Sequence, residues 1–203
     1  MTSDTSYATV RRAETADLQV VSDVLTDAFA HDPLVCWLFP EESGRARMQA
    51  HFYRPLIAHP DGEAYLAGRA EGAAVWLALT AGQAPPEEHP DASEPGQGSI
   101  FGANAARLQA LGQALAERHP HRVPHLYLPC MGVVSGRRGG GLGSALLRRR
   151  LERADADGIA AYLEASSPRS RALYQRYGFE DLGEPVRVAD SPFLWPMWRR
   201  PCA

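Results

Sequence analysis

Residues 133–149, VVSGRRGGGLGSALLRR, place three consecutive glycines between a pair of arginines and an apolar helical run. Glycine loses more chain entropy on ordering than any other residue, so such a run must be offset by something a bare backbone permits. The usual gain is close approach of a ligand to backbone N–H groups, above all a phosphate at a helix N-terminus. Three ligand classes answer to that description: a nucleoside triphosphate, a dinucleotide, and the pyrophosphate of coenzyme A.

The glycine spacing separates them. A triphosphate loop needs G-x-x-x-x-G-K-[ST]. Gly136 to Gly141 has the spacing, but Leu142 stands where the lysine must be, and all 21 basic side chains of the chain are arginine. A dinucleotide fingerprint closes G-x-G-x-x-G on Gly or Ala. Read from Gly139 its last position is Ser144, and read from Gly141 it is Leu146. Glu164, closing the next apolar run, could stand in for the ribose-binding acid and keeps that reading open as the weaker one. Coenzyme A fits best. Amides from Arg138 through Gly139, Gly140, Gly141, Leu142 and Gly143 to Ser144 can turn toward pyrophosphate oxygens, and the following helix adds its dipole. Arg137 and Arg138 can neutralise phosphate charge.

Composition limits the alternatives. At 203 residues the chain fits one domain, 1–203, with room for a real core. A net charge of -3 gives no electrostatic case for nucleic acid or an anionic membrane as partner. Cys36, Cys130 and Cys202 are scattered and odd in number, and read as reduced thiols. With an N-terminus lacking an apolar run, they point to a cytoplasmic protein.

Periodicity places the elements. A short strand near Val10 leads to a helix N-capped by Thr15 and carrying Leu18, Val21, Leu25, Ala28 and Phe29 inward, stopped at Asp32-Pro33. A second helix covers 42–58, with Met48, Phe52, Leu56 and Ile57 inward. A β-hairpin turns at Ala70-Glu71-Gly72. Residues 81–99, AGQAPPEEHPDASEPGQGS, form a long aperiodic loop, either an acceptor-side lid or a surface excursion. A helix near 100–118 precedes the strand HLYLPCMGVV, interrupted by Pro129. The helix after the glycines ends near Asp155, IAAYLEAS is a buried strand, a helix follows near 168–177, and the last strand is PFLWPMWRR. Hairpin strands first and a βαβ unit later predict a mixed α/β fold: a central mixed sheet with helices on both faces. His119, His121 and His125 in HPHRVPH have no recognised metal spacing and read as a polar loop; no metal is called for.

Arg138-x-x-Gly141-x-Gly143, after an apolar strand and opening a helix, resembles the acyl-CoA motif of the GNAT acetyltransferase superfamily. SRALYQRYGF, residues 170–179, is similar to its helix-to-strand segment, with a tyrosine four residues before Gly-Phe. The resemblance implies acetyl-CoA as co-substrate, a small-molecule primary amine as acceptor, and direct transfer without an acyl-enzyme. It implies cofactor contacts from Met131, Val133 and Val134 on the strand before the glycines, with a backbone N–H of the Cys130–Val133 stretch beside the thioester. Tyr174 matches the family's general acid, since a phenol is protonated at neutral pH and can donate to a departing thiolate. Ser170 stands where the family often has asparagine in contact with the cofactor. His31, Asp32 and Trp37 fall where the family's acceptor pocket lies. Glu164 is the candidate base, with pairing to Arg169 or Arg171 as the alternative. Two further readings stay open: acetylation of a protein N-terminus or side chain, and a non-catalytic acyl-CoA-binding regulatory module. Cys130 reads as an inert buried thiol, because no His–acid pair is recognisable beside it in sequence.

Overall fold

The computed structural model of the chain describes residues 9–84 and 100–202. β1 (Val10–Arg12), β2 (Gly62–Ala67), β3 (Gly72–Leu79) and β4 (His125–Val133) run antiparallel in that spatial order. β5 (Ala160–Ala165) then pairs parallel to β4, and β7 (Trp195–Arg199) and β6 (Glu180–Asp181) complete a seven-stranded sheet in the order β1-β2-β3-β4-β5-β7-β6. The expected mixed sheet is thus observed, with its parallel pair in the middle. Most of the expected lid at 81–99 lies outside the described residues.

Helices cover both faces because side chains alternate along each strand. On one face α5 (Leu142–Ala156) packs Leu146, Leu147 and Leu151 on Trp76, Leu126, Leu128 and Leu163, and α6 (Pro168–Gln175) adds Tyr174. On the other, α1 (Leu18–Phe29) and α3 (Glu42–Ile57) pack Val21, Leu25, Tyr53 and Leu56 on Val75, Leu77, Tyr127 and Tyr162. A third, smaller core joins α2 (Pro33–Leu38) and α4 (Ala105–Ala116) to Val186 and Leu194, with Phe39 stacked on Phe101 at 5.9 Å.

Three local expectations are corrected. Thr15 is not an N-cap: it opens a 3-10 turn capped by Glu14, whose N–H donates to Asp17, while Asp17 is held by Arg11 at 2.6 Å. Asp32-Pro33 does not merely end α1 but begins α2, Asp32 Oδ1 accepting from the N–H groups of Leu34 (2.9 Å) and Val35 (3.3 Å). A capping acid followed by proline at the first helical position is a start signal as much as a stop. His119 and His125 are not in a polar loop; both are buried among Tyr127, Tyr162 and Trp198. His125 Nδ1 meets the Val123 carbonyl at 2.9 Å, and the two Nε2 atoms lie 3.0 Å apart. A carbonyl only accepts, so His125 carries its proton on Nδ1 and its Nε2 accepts from His119. Both rings are neutral in that arrangement, and burial pushes both below the ordinary histidine range, His119 to about 4.

Candidate functional site

The site begins with a fork in the sheet. β4 and β5 pair from His125↔Ala160 to Leu128↔Leu163 and then part, whereas β4 stays with β3 through Val133. Pro129, which has no N–H to give a ladder, stands where they separate. The β3–β4 register slips by one residue here: Val75 faces Cys130 while Leu77 faces Tyr127, so Leu128 and Pro129 together oppose Trp76. Because side chains alternate with period two, the bulge reverses the phase of the strand and turns Cys130 to the α1 face, beside Tyr127. Beyond it, Val134 N–H donates to Glu71 O at 2.9 Å. Alternation along an antiparallel ladder then points the N–H and C=O groups of Met131 and Val133 away from β3, toward the gap that β5 has left.

α5 starts at the mouth of this gap. Its N-cap, Gly141, has φ of +83°, a conformation that a residue with Cβ rarely takes, and it offers no capping side chain. Its carbonyl accepts the first helical bond, from Ala145 N–H at 2.9 Å, which leaves the amides of Leu142, Gly143 and Ser144 as the uncapped first turn. Gly143 also faces α6: a Cβ there would lie 3.4 Å from Leu173 Cδ2, with Met131 and Val133 at 3.9 and 4.0 Å, so the contact has room for one methyl group and little more. The arginines are engaged in the protein and are not loose loop charges. Arg137 pairs with Glu71 at 2.6 Å, and Arg138 Nη2 donates to Ala28 O at the C-terminus of α1 at 2.6 Å.

Fork, helix start and α6 open onto one cavity of about 610 Å³. Met131, Val133, Arg137, Arg138, Gly139, Gly141, Leu142, Gly143 and Ser144 border one end, with Ser170 and Tyr174 of α6. Ser170 forms a capping box with Ser167, its Oγ accepting from Ser167 N–H at 3.1 Å. Tyr174 is buried, and burial together with the Cys130 thiol pushes its phenol well above the ordinary value, so it stays a proton donor. Glu164, next to last in β5, borders the cavity and pairs across the sheet with Pro196 of β7. Arg171 is not its partner: its guanidinium binds Asp181 in a bidentate pair. Asp32 borders the cavity too. Ser166 Oγ donates to its Oδ2 at 3.4 Å, and burial raises its carboxyl despite the two capping amides.

Four expected residues stand apart. Val134, just after β4, and Gly140, within the glycine loop, do not border the cavity. His31 is exposed and lines a separate depression with Asp23 and Asp27. Trp37 turns outward, its Nε1–H donating to Asp190 Oδ1 at 2.7 Å under the Arg107 guanidinium. Sequence reasoning missed Ser166, the Gln49–Tyr53 pair (Tyr53 O–H donating to Gln49 Oε1 at 3.3 Å) and the walls from α2 and α4. The Asp-Pro start signal was the one available clue to α2.

Residues 33–179 match the acetyltransferase (GNAT) family, and the chain belongs to it. Among solved structures it is similar to the histone acetyltransferase HPA2 and related acetyltransferase from Corynebacterium glutamicum, at 31% identity over 97% of both chains with a TM-score of 0.69. Arylalkylamine N-acetyltransferase 2 from Aedes aegypti shares the fold at 16% identity, covering 95% of this chain and 98% of that one with a TM-score of 0.69. The ribosomal-protein-S18-alanine N-acetyltransferase from Escherichia coli does so at 15% identity, covering 97% and 95%, with a TM-score of 0.55. Among the described residues, no helix is long and apolar enough to cross a membrane.

Proposed function

We propose that the chain, 1–203, acts as one domain that transfers an acetyl group from acetyl-CoA to the primary amine of a small molecule. The observation that carries this reading is the β4–β5 fork opening directly onto the uncapped first turn of α5. The residues present fit the cofactor. Leu142, Gly143 and Ser144 amides at a helix N-terminus suit a pyrophosphate. The edge of Met131 and Val133 that faces away from β3 suits the amide-bearing arm that follows it. When bound, acetyl-CoA supplies a thioester as acetyl donor.

The chain's own groups supply the rest. Acceptor amines are protonated at neutral pH, so one proton must leave before nitrogen can attack; Glu164 and Asp32 are carboxylates that border the cavity beside the fork. Burial raises the Asp32 carboxyl, which makes it a better proton acceptor than an unperturbed aspartate. Edge amides of β4 stabilise the oxygen that gains charge as the new C–N bond forms. Tyr174 O–H gives its proton to the sulfur as the C–S bond breaks. Residues 8–30, 132–147, 160–179 and 191–201 also resemble puromycin N-acetyltransferase, which supports the fold and the donor more than the acceptor; the middle, 35–120, which shapes the acceptor site in that superfamily, matches poorly, and puromycin itself is not implied. Coenzyme A chemistry and three reduced cysteines fit a cytoplasmic setting.

Thermal shift with acetyl-CoA against NAD(H), followed by thiol release across a panel of amines, tests the reading. Stabilisation by NAD(H) alone would reject the donor. Stabilisation by acetyl-CoA with no turnover of any amine would favour the regulatory module, and turnover of peptides alone would favour protein acetylation.

A further inference from the structure

The two ends of the cavity differ in chemistry. Among the described residues, the arginines that border it are Arg137, Arg138, Arg169 and Arg176, and all come from the β4–α5 connection, α6 and its C-cap. The far end is built from α1–α2, α3 and α4, where Phe29, Leu38, Phe52, Leu111 and Leu115 face the space. Leu38 and Leu111 are buried members of the small third core, and Phe29, Phe52 and Leu115 pack against it. Glu164 is the first β5 residue beyond the last β4 pair and Asp32 meets Ser166 two residues further on, so both carboxylates sit beside the fork. Gln49 and Tyr53, polar side chains on the α3 wall, are engaged with each other, the Tyr53 hydroxyl donating to Gln49 Oε1.

We infer that the acceptor is a monocationic primary amine with an apolar, aryl or alkyl remainder: its ammonium sits at Asp32 and Glu164, and its tail fills the chamber walled by Phe29, Phe52, Leu111 and Leu115. The inference rests on the acetyl-transfer reading and adds the acceptor's class to it. A chamber with both carboxylates at one end holds one ammonium, and the second charge of a diamine or the backbone of a peptide would be driven into hydrocarbon without a partner. An apolar tail gains by leaving water there. Burial keeps the Asp32 carboxyl raised, so an ammonium beside it both offsets the buried charge and finds a group able to take its proton.

The test compares kcat/KM for 2-phenylethylamine, hexylamine, putrescine and an alanine-led tetrapeptide on the full chain, with calorimetric titration of 2-phenylethylamine into the protein saturated with coenzyme A. The two apolar monoamines should exceed putrescine and the peptide by about tenfold or more, the scale on which small differences in hydrocarbon fit are read by a pocket. Leu115 is half-buried, so Leu115→Gln and Leu115→Trp should both fold. Each should raise KM for 2-phenylethylamine by about tenfold while changing kcat less than about threefold and leaving acetyl-CoA affinity alone. Equal or better turnover of putrescine or peptide overturns the inference while acetyl transfer stands. If no amine turns over but coenzyme A binds, saturable heat from 2-phenylethylamine still supports the chamber, and its absence overturns it. Failure to bind acetyl-CoA at all sinks the acetyl-transfer reading, and this inference with it.

Discussion

A Cβ built on Gly132 falls 2.5 Å from the Cβ of Ala28, closer than two such carbons can approach. β4 and α1 meet at that point, and Arg138 clamps the Ala28 carbonyl from the other side. The bareness of Gly132 therefore sets how near α1 lies to the strand that edges the fork. Gly132→Ala should push α1 outward and destabilise the protein by about 1–3 kcal/mol, the range for overpacking a well-filled contact. Urea denaturation should show a lowered midpoint with unchanged slope; an unshifted midpoint would mean that α1 gives way freely.

Gly141 and Gly143 should respond differently although they lie in one motif. Nothing lies within 4 Å of a Cβ at Gly141, so Gly141→Val fails through its φ of +83° rather than through space. A left-handed conformation costs a residue with Cβ about 1–2 kcal/mol, and relief would re-aim the first amides of α5. Losing one charge-assisted amide contact, about 1.5–3 kcal/mol, weakens acetyl-CoA binding about tenfold or more. Gly143→Val instead presses on Leu173 and should shift α6, lowering kcat through Tyr174 as well as affinity. Calorimetry with acetyl-CoA on both folded variants checks this, and wild-type affinity in Gly141→Val would remove the phosphate role of that turn.

Tyr174→Phe keeps the ring that packs edge-on against Phe179 and removes the proton. Loss of a general acid lowers rate by about 10²–10⁴, so kcat should drop by that much with acetyl-CoA affinity little changed. A folded variant within about threefold of wild type, measured where chemistry limits the rate, would leave the tyrosine as packing alone.

The His119–His125 pair makes stability depend on pH. Both rings titrate lower in the folded protein than the ordinary value of about 6.5, His119 at about 4, so the unfolded chain binds more protons in between. The neutral pair contributes in full above about 6.5, and its contribution is lost as pH falls from there toward 4. His119→Gln keeps a donor for His125 Nε2 and removes one titrating ring. Its Tm should fall less than that of wild type between pH 6.5 and 4, and parallel curves would exclude the pair as the cause.

The glycine run, the arginines and the Tyr-x-x-x-Gly-Phe spacing were legible in the sequence because each is local. A turn into a helix N-terminus and the helix that carries Tyr174 are specified by neighbours in the chain, and the apolar runs HLYLPCMGVV and IAAYLEAS marked the strands of the βαβ unit around them. The same local logic read Asp32 as a stop and the histidines as a loop, since whether a polar residue caps a new helix or enters a core depends on what packs over it. Tertiary structure alone decided three things. It opened β4 from β5 through a bulge whose two partners lie over fifty residues apart in the chain. It assigned Gly143 to Leu173 and Gly132 to Ala28, contacts whose residue types carry no pattern. It also turned Trp37 and His31 away from the cavity while bringing Asp32 to Ser166, because a side chain's direction is set by the packing of the helix that bears it.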